Sequence, residues 1–345
     1  PLKVSVIMPV LNEIKYISNS ICSVLNQSFD LTDIEIIISD GGSSDGTIEK
    51  IKHFQASYSN IHLLNNPYKI VSAGFNLALS IASADYILRV DGHSELPPNY
   101  ISDVLVLMKD RNSDIAGGCI KTISSNLIGK AISISQSSKF GVGGVSFRNS
   151  SLTKVKEVDT LAFGIHRREL FSNLGGYDED LVCNQDDEFN FRAKQAGKKI
   201  WMDPAIKTIY HSRSGYMKLF KQYFKYGLFK VRVLQKRGKL ISLRHIIPSI
   251  FILGLILTFI TGIGMNQWIY FNIFVIVYSS INIIASILGS ISLKLFPLIF
   301  FANIVLHTSY GLGFIWGIFK FINTWNDKDL KDTHFNKEQF LANSF

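Results

Sequence analysis

Ile34-Glu35-Ile36-Ile37-Ile38-Ser39-Asp40-Gly41-Gly42-Ser43-Ser44-Asp45-Gly46-Thr47 decides the fold. A short apolar, β-rich run ends in an acidic, glycine-rich turn, and a helix-length stretch, Asp45 to Gln55, follows. The same grammar surrounds it. Val4 to Met8, Ile61 to Leu64 and Tyr86 to Val90 are further strand candidates, with Glu13 to Asn26 and Ser72 to Ala82 as helices between them. Apolar strands alternating with helix-length segments imply βαβ crossovers and a mainly parallel sheet covered on both faces. Ligands of such sheets bind beyond the carboxyl ends of the strands.

Composition divides the chain further. Its 345 residues, 47% of them apolar, allow about two folding units. A net charge of +9 excludes an acidic, solvating disordered protein. From Ile246 to Phe319 the only charged residue is Lys294, and His307 is the only histidine. This zone separates into Ile246–Gly264, Trp268–Ile291 and Leu295–Phe319, each near or above the roughly 20 residues that cross a bilayer as a helix. Pro248 and Pro297 interrupt the zone in a way that re-entrant or interfacial segments also show.

Between Lys198 and Arg244 stand 13 Lys or Arg and one acid, Asp203. By the positive-inside rule this block belongs on the cytoplasmic face, against anionic headgroups. Lys218, Lys221, Lys225, Arg232 and Lys236 fall on one helical stripe beside Phe220, Tyr223, Phe224 and Leu228, which predicts an amphipathic helix in the membrane interface. Aromatics interleaved with these charges argue against nucleic acid as a partner. Cys22, Cys119 and Cys183 are far apart, so neither a disulfide framework nor a cysteine zinc site is expected, and a reducing compartment is. No secretory signal is expected from Val4–Val10. The expected organisation is a catalytic part over 1–215, a basic interface helix over 216–244, about three spans over 245–321 and a polar tail over 322–345.

The strand ends carry the chemistry. The first offers Pro9, Asn12 and Glu13, the second Asp40 and the glycine turn, the fourth Arg89-Val90-Asp91-Gly92-His93. The turn lacks the spacing of a dinucleotide or P-loop motif, and on its own it also fits an ordinary turn with Asp45 capping a helix. Asp91 and His93, two apart after a strand, suit a divalent cation held between protein and pyrophosphate, magnesium or manganese. A plain surface turn remains open for them. In Asn184-Gln185-Asp186-Asp187-Glu188, three successive acids repel one another unless a cation, Arg192 or a helix N-terminus offsets the charge. One of them is a candidate general base, with helix capping the alternative.

Taken in order, MPVLNE, SDGGSSDGT, a Gly74-x-Asn76 helix, RVDGH, FGIHRRE, NQDDEFNFR and QYFKYG, followed by apolar helices, resemble family-two glycosyltransferases of the GT-A fold. The nearest likeness is to the membrane-anchored bacterial type that builds exopolysaccharide repeat units on a lipid carrier, and it covers about Val4 to Lys230. The resemblance implies an α/β, Rossmann-like catalytic domain with a mainly parallel sheet, then an interfacial amphipathic helix and C-terminal transmembrane helices. It implies that Pro9, Glu13 and Asp40 cradle the uridine of the donor. Asp91 matches the first acid of the family's D-x-D, with His93 in place of the second. Asp186 matches the general base, and Gln185 replaces the usual Glu beside it. Glu188 and Arg192 match accompanying positions. Gln222 and Tyr226 match a motif that closes over the donor in processive synthases. Lys225 and Tyr226 there keep a cation and an aromatic without the guanidinium fork or the indole, which favours a single transfer per acceptor.

The expected function is therefore an inverting, metal-dependent hexosyltransferase. It would use Mn2+ or Mg2+ and move a sugar from a nucleotide-linked donor, UDP above all, to a polyprenyl-diphosphate-linked saccharide in cell-surface polysaccharide synthesis. The protein would be multi-pass in an inner or plasma membrane, in contact with its lipids, with the catalytic part cytoplasmic. Arg167, Arg168 and Arg213, with His166 and His211, are candidates for diphosphate binding. A polyprenyl-phosphate sugar synthase is the alternative within the class. A nucleotide-regulated channel or transporter is the alternative outside it, disfavoured by the scarcity of ionisable groups in the spans. Asp40, Asp91 and Asp186 are expected to converge on one hollow.

Overall fold

The computed structural model describes residues 4–124, 126–149, 152–211, 215–238, 243–290 and 292–343. Its contacts form two units, one from 1–121, 150–211 and 330–345, the other from 122–149 and 212–329. The division is not linear in sequence, unlike the expected 1–215, 216–244, 245–321 and 322–345.

In the first unit the described residues build a nine-stranded sheet from β1 (Val4–Val10), β2 (Ile34–Asp40), β3 (Ile61–Asn65), β4 (Tyr86–Arg89), β5 (Ser94–Glu95), β6 (Ile115–Ile123), β7 (Lys156–Glu157), β8 (Ile165–Arg167) and β9 (Ile200–His211). The order is β3-β2-β1-β4-β8-β6-β9-β5, with β7 beside β9. The four strands legible in the sequence are the parallel half. Beyond β4 the pairings of β8 with β4 and β6, and of β5 and β7 with β9, are antiparallel, so the sheet is mixed.

Every residue of β1 is buried, as a strand covered on both faces requires. On one face Val6, Met8, Ile36, Ile38 and Leu88 join Ile17, Ile21 and Val24 of the Ile17–Leu25 helix and Tyr100 and Val104 of the Tyr100–Arg111 helix. Pro9 lies past the last β1–β4 pair, Ile7 with Arg89, where β1 keeps only β2 as a neighbour. A missing N–H is tolerated at such a position.

The tail is not a free appendage, because 330–345 packs within this first unit. Asn336 N–H donates to Ser80 Oγ at 2.7 Å. Phe340 is wholly buried, and the Arg168 guanidinium lies 3.7 Å from its ring centroid.

The second unit holds three helices long and apolar enough to cross a membrane, Ile247–Met265, Trp268–Gly289 and Phe296–Lys320. They follow the expected segments closely, and Ile291 lies outside the described residues. The Leu127–Ser137 helix belongs here because its Ile132 packs with Leu219, Tyr223, Ala302 and Leu306. The basic Tyr216–Arg237 helix forms, and Gly238 ends it in a left-handed conformation (φ 66°). Its charged stripe divides, contrary to expectation. Lys218, Lys221 and Lys225 are exposed, whereas Arg232 and Lys236 are buried. Arg232 donates to Thr324 O at 2.9 Å and pairs with Asp327 at 3.0 Å, and Lys236 donates to Asp329 O at 2.9 Å. The segment after the last apolar helix thus folds back over the second half of the stripe, which helical spacing alone does not reveal.

Candidate active site

The loops after β1, β2 and β4 lie side by side because their strands are parallel neighbours. Asp40 ends β2, with Gly42 and Ser43 N–H donating to its Oδ1 at 2.8 and 2.7 Å and the Ser43 hydroxyl to its Oδ2 at 2.6 Å. The carboxylate therefore shapes the glycine turn. Asn12, held at φ 55°, completes the link. Its N–H donates to Ser43 Oγ at 2.8 Å and its side-chain oxygen accepts from Ser44 N–H at 2.9 Å. Glu13 N–H donates to Thr47 Oγ1 at 2.9 Å, and Asp45 accepts from the Thr47 and Ile14 N–H groups, while Gly46 stands at the N-cap of the Thr47–Ser57 helix.

The loop after β4 approaches from the other side of β1. A Cβ on Gly92 would lie 3.0 Å from both Glu13 Cγ and Val10 Cγ1, so only glycine fits comfortably there. The approach brings His93 Nδ1 to 2.9 Å from Glu13 Oε1. Burial opposes a charge on this imidazole, but Tyr210, Glu13 and Asp91 outweigh it and push its pKa up to about 10. Its Nε2 is buried without a hydrogen-bond partner among the described residues.

Arg89 connects this loop to the acidic cluster. Its Nη2 lies 2.7 Å from Asp91 Oδ1 and its Nη1 3.8 Å from Asp186 Oδ2. Burial disfavours the guanidinium charge, yet the two carboxylates overcome that and raise its pKa. Of the three, Asp186 is the most exposed, at 34% against 19% for Asp91 and 12% for Arg89. It is the group a ligand can reach. Loss of water around Asp186 raises its pKa, against the pull of Arg89 and with Asp187 adding to the rise. A carboxylate so placed is a stronger proton acceptor than an ordinary Asp.

Asp186 lies in the first turn of the Gln185–Gln195 helix, whose N-terminal dipole favours the run of acids. Glu188 is spent internally. It forms a two-point pair with Arg192, at 2.8 and 3.0 Å, and Arg192 also donates to Gly176 O at 2.7 Å. Asn76 is likewise structural, exchanging hydrogen bonds of 2.8 Å with the Tyr177 backbone.

Asp91 and Asp186, distant in sequence, are thus joined through Arg89. Asp40 stands two strands away, roughly 10 Å at the usual strand spacing. Gln222 and Tyr226 belong to the second unit, where Gln222 Nε2 donates to Tyr226 Oη at 2.8 Å. Arg213 lies outside the described residues.

Arg167, Arg168 and His166 do not join the site. Antiparallel β8 pairs Arg167 with Tyr86, at the start of β4 and away from Asp91. Arg167 donates to Ser113 O at 3.1 Å, and Arg168 is consumed by Ala82 O at 2.7 Å and by the Phe340 carbonyl. His166 is buried against Phe171 and Phe189, and burial drives its pKa down to about 4. His211 does lie beside the site, its N–H donating to His93 O at 3.1 Å, but its imidazole is 2.6 Å from Glu95 and stacks on Tyr16. Sequence reasoning placed Arg89 at the strand end but gave it no role. A cation at the last position of a buried strand, two before an acid, was the available signal.

Among the described residues no group of three or more His, Cys, Asp or Glu could hold a metal unaided. Asp91 and the unpartnered Nε2 of His93 fit a cation that takes its remaining ligands from a diphosphate. Such binding would displace the imidazole proton.

Residues 5–174 match the family described as Glycosyl transferase family 2. Over 245 residues the chain is 31% identical to the succinoglycan biosynthesis protein ExoA of Rhizobium meliloti (strain 1021), covering 70% of this chain and 73% of that one. The chain belongs to glycosyl transferase family 2. This glycosyltransferase is also 26% identical, over 92% of its length and 97% of the other's, to a Methanococcus voltae dolichyl N-acetyl-alpha-D-glucosaminyl phosphate 3-beta-D-2,3-diacetamido-2,3-dideoxy-beta-D-glucuronosyltransferase. A crystal structure of S. aureus TarS in complex with UDP-GlcNAc shares its GT-A fold, with TM-score 0.52, 18% identity and 92% of each chain covered. The matched stretch of the glycosyltransferase contains β1 to β4 with Glu13, Asp40, Arg89, Asp91 and His93, and Asp186 lies just beyond it.

Proposed function

We propose that this glycosyltransferase moves a sugar, with inversion, from a UDP-linked donor to a polyprenyl-diphosphate-linked saccharide at the cytoplasmic face of a membrane. The observation that carries the reading is the Arg89 bridge. It joins Asp91, two residues past the end of β4, to the half-buried carboxylate with a raised pKa, Asp186.

In this reading Asp186 takes the proton of the acceptor hydroxyl as its oxygen attacks the anomeric carbon. The bond from that carbon to the diphosphate oxygen breaks on the opposite face, and the leaving group departs as a nucleoside diphosphate. Arg89 keeps the two carboxylates apart yet close, so Asp186 is aimed without being neutralised. Pro9, Glu13 and Asp40 line the nucleoside end. Gln222 and Tyr226 are assigned to donor binding on the resemblance alone. Asp91 and His93 would hold Mn2+ or Mg2+, which when bound supplies positive charge for the departing diphosphate. The lipid-linked acceptor agrees with the name of the Methanococcus voltae relative, and the nucleotide with the TarS complex. The basic stretch before the apolar helices supports a cytoplasmic catalytic unit in an inner or plasma membrane.

The test is purified Asp186→Asn against wild type. Donor-dependent thermal stabilisation, compared across UDP, GDP and their sugars with and without Mn2+, should persist in the variant. Transfer to lipid-linked saccharide should fall by about 10²–10⁴, and undiminished transfer removes Asp186 as the base. Offering bare polyprenyl phosphate beside the saccharide acceptor distinguishes the two lipid acceptors.

A further inference from the structure

The chain leaves the catalytic unit after His211 and is part of it again from Leu330. The return is firm. Glu179 N–H donates to Lys331 O at 2.5 Å, His334 N–H donates to Glu179 Oε1 at 3.1 Å, and Phe340 is fully buried. A chain that begins and ends in one folded unit crosses a bilayer an even number of times. Three helices long enough to cross lie between those points among the described residues. An even number of crossings leaves at least one of the three out of the bilayer.

Ile247–Met265 and Trp268–Gly289 have the character of a lipid-embedded pair. Only 17% and 11% of their apolar windows are buried in protein. They are joined through Asn266, held at φ 52°, and Gln267. Their rings meet along the pair, Phe251 with Phe274 at 5.8 Å and Phe259 with Phe271 at 5.6 Å. Each spans about 30 Å, the thickness of a hydrocarbon core.

Phe296–Lys320 differs in three respects. Half of its apolar window is buried. It packs along the basic helix, with the Tyr216 hydroxyl donating to Leu298 O at 3.0 Å and with Gly313 and Gly317 against the backbones of Phe224 and Leu228. A partner bearing exposed Lys218, Lys221 and Lys225 cannot be carried through a bilayer. Its described contacts with the apolar pair, His307 with Tyr278 at 2.9 Å and Asn303 with Asn282 at 2.9 Å, stop roughly 20 Å short of the Asn266 tip.

We propose that the first two apolar helices are the transmembrane hairpin, and that Phe296–Lys320 stays on the catalytic side as a membrane-surface helix. Trp316, Phe319, Ile322 and Trp325 are its exposed lipid-contacting edge. All four are exposed, the first two in the last turn or so of the helix and the other two in the turn that follows it, and tryptophans favour the headgroup level. The inference does not depend on the sugar, the acceptor or the catalytic base.

Four single substitutions at exposed positions test it, Lys50→Cys, Asn266→Cys, Ser292→Cys and Lys328→Cys, in sealed vesicles treated with a membrane-impermeant maleimide. Peptide mass identifies the labelled site despite native Cys22, Cys119 and Cys183. Each variant is first shown to unfold at the wild-type temperature. The expected result is labelling of positions 50, 292 and 328 from one side and of position 266 from the other. Labelling of 328 or 292 from the side opposite to 50 overturns the proposal. So does labelling of 266 from the same side as 50, or its protection from both sides.

Discussion

His93 Nδ1 and Glu13 Oε1 lie 2.9 Å apart across 80 residues of sequence, joining the loop after β4 to the loop after β1. The imidazole two residues after Asp91 thus has its own carboxylate, which fixes the ring and leaves Nε2 without a hydrogen-bond partner among the described residues.

Replacing that carboxylate should loosen the cation without unfolding the protein. Glu13→Gln is expected to weaken Mn2+ binding in the presence of UDP by about 10- to 100-fold. Titration of chelator-treated protein with Mn2+, followed by the nucleotide's thermal stabilisation, reads the effect. Unchanged affinity would detach His93 from the cation.

Arg89 is the second lever. Arg89→Met leaves Asp91 and Asp186 facing each other without a cation, which should cost about 3–5 kcal/mol in stability and nearly all transfer. Arg89→Lys keeps the charge but has no fork to reach two carboxylates, so stability should recover more than kcat. Unfolding curves and initial rates on the same preparations separate the two effects.

His166 predicts an acid limb in the stability profile. Its folded pKa of about 4 lies below the ordinary value of 6.5, so between those values the unfolded chain binds more protons. The contribution is fully present above about pH 6.5 and is lost as pH falls toward 4, by a few kcal/mol in all (~3). His166→Gln should flatten this part of the curve. Midpoints of denaturant unfolding from pH 4 to 7 for both proteins provide the check.

The tail gives the fourth prediction. Phe340→Ala should destabilise the catalytic unit by about 3–5 kcal/mol, since a fully buried ring stacked under Arg168 is lost. A wild-type unfolding midpoint would mean that the tail is not part of the folded unit.

Much of this architecture is local enough to be read from residue order. β1 to β4 and the helices after the first three of them follow from apolar runs and turns within about ten residues, because strand and helix periodicity is a short-range property. The three apolar helices stand out for the same reason, as does the placement of Asp40, Asp91 and His93 at strand ends. The antiparallel half of the sheet was not legible, since short strands such as β7 and β8 carry too few residues to show a period. That blindness explains the misplacement of Arg167 and Arg168. Their basic run looked like an anion site until strand direction sent it to the other end of β4.

Residue order alone settled the α/β fold, the family and the membrane-length helices. Three-dimensional packing settled which charges are free to act. Arg89 bridges two carboxylates, Arg192 and Arg168 are absorbed in support, Arg232 and Lys236 are buried, and the tail joins the catalytic unit. The reason is physical. An ionisable side chain has no fixed role until its solvent and counter-charge are fixed. Here both come from positions as far as 172 residues away, as between Arg168 and the Phe340 carbonyl.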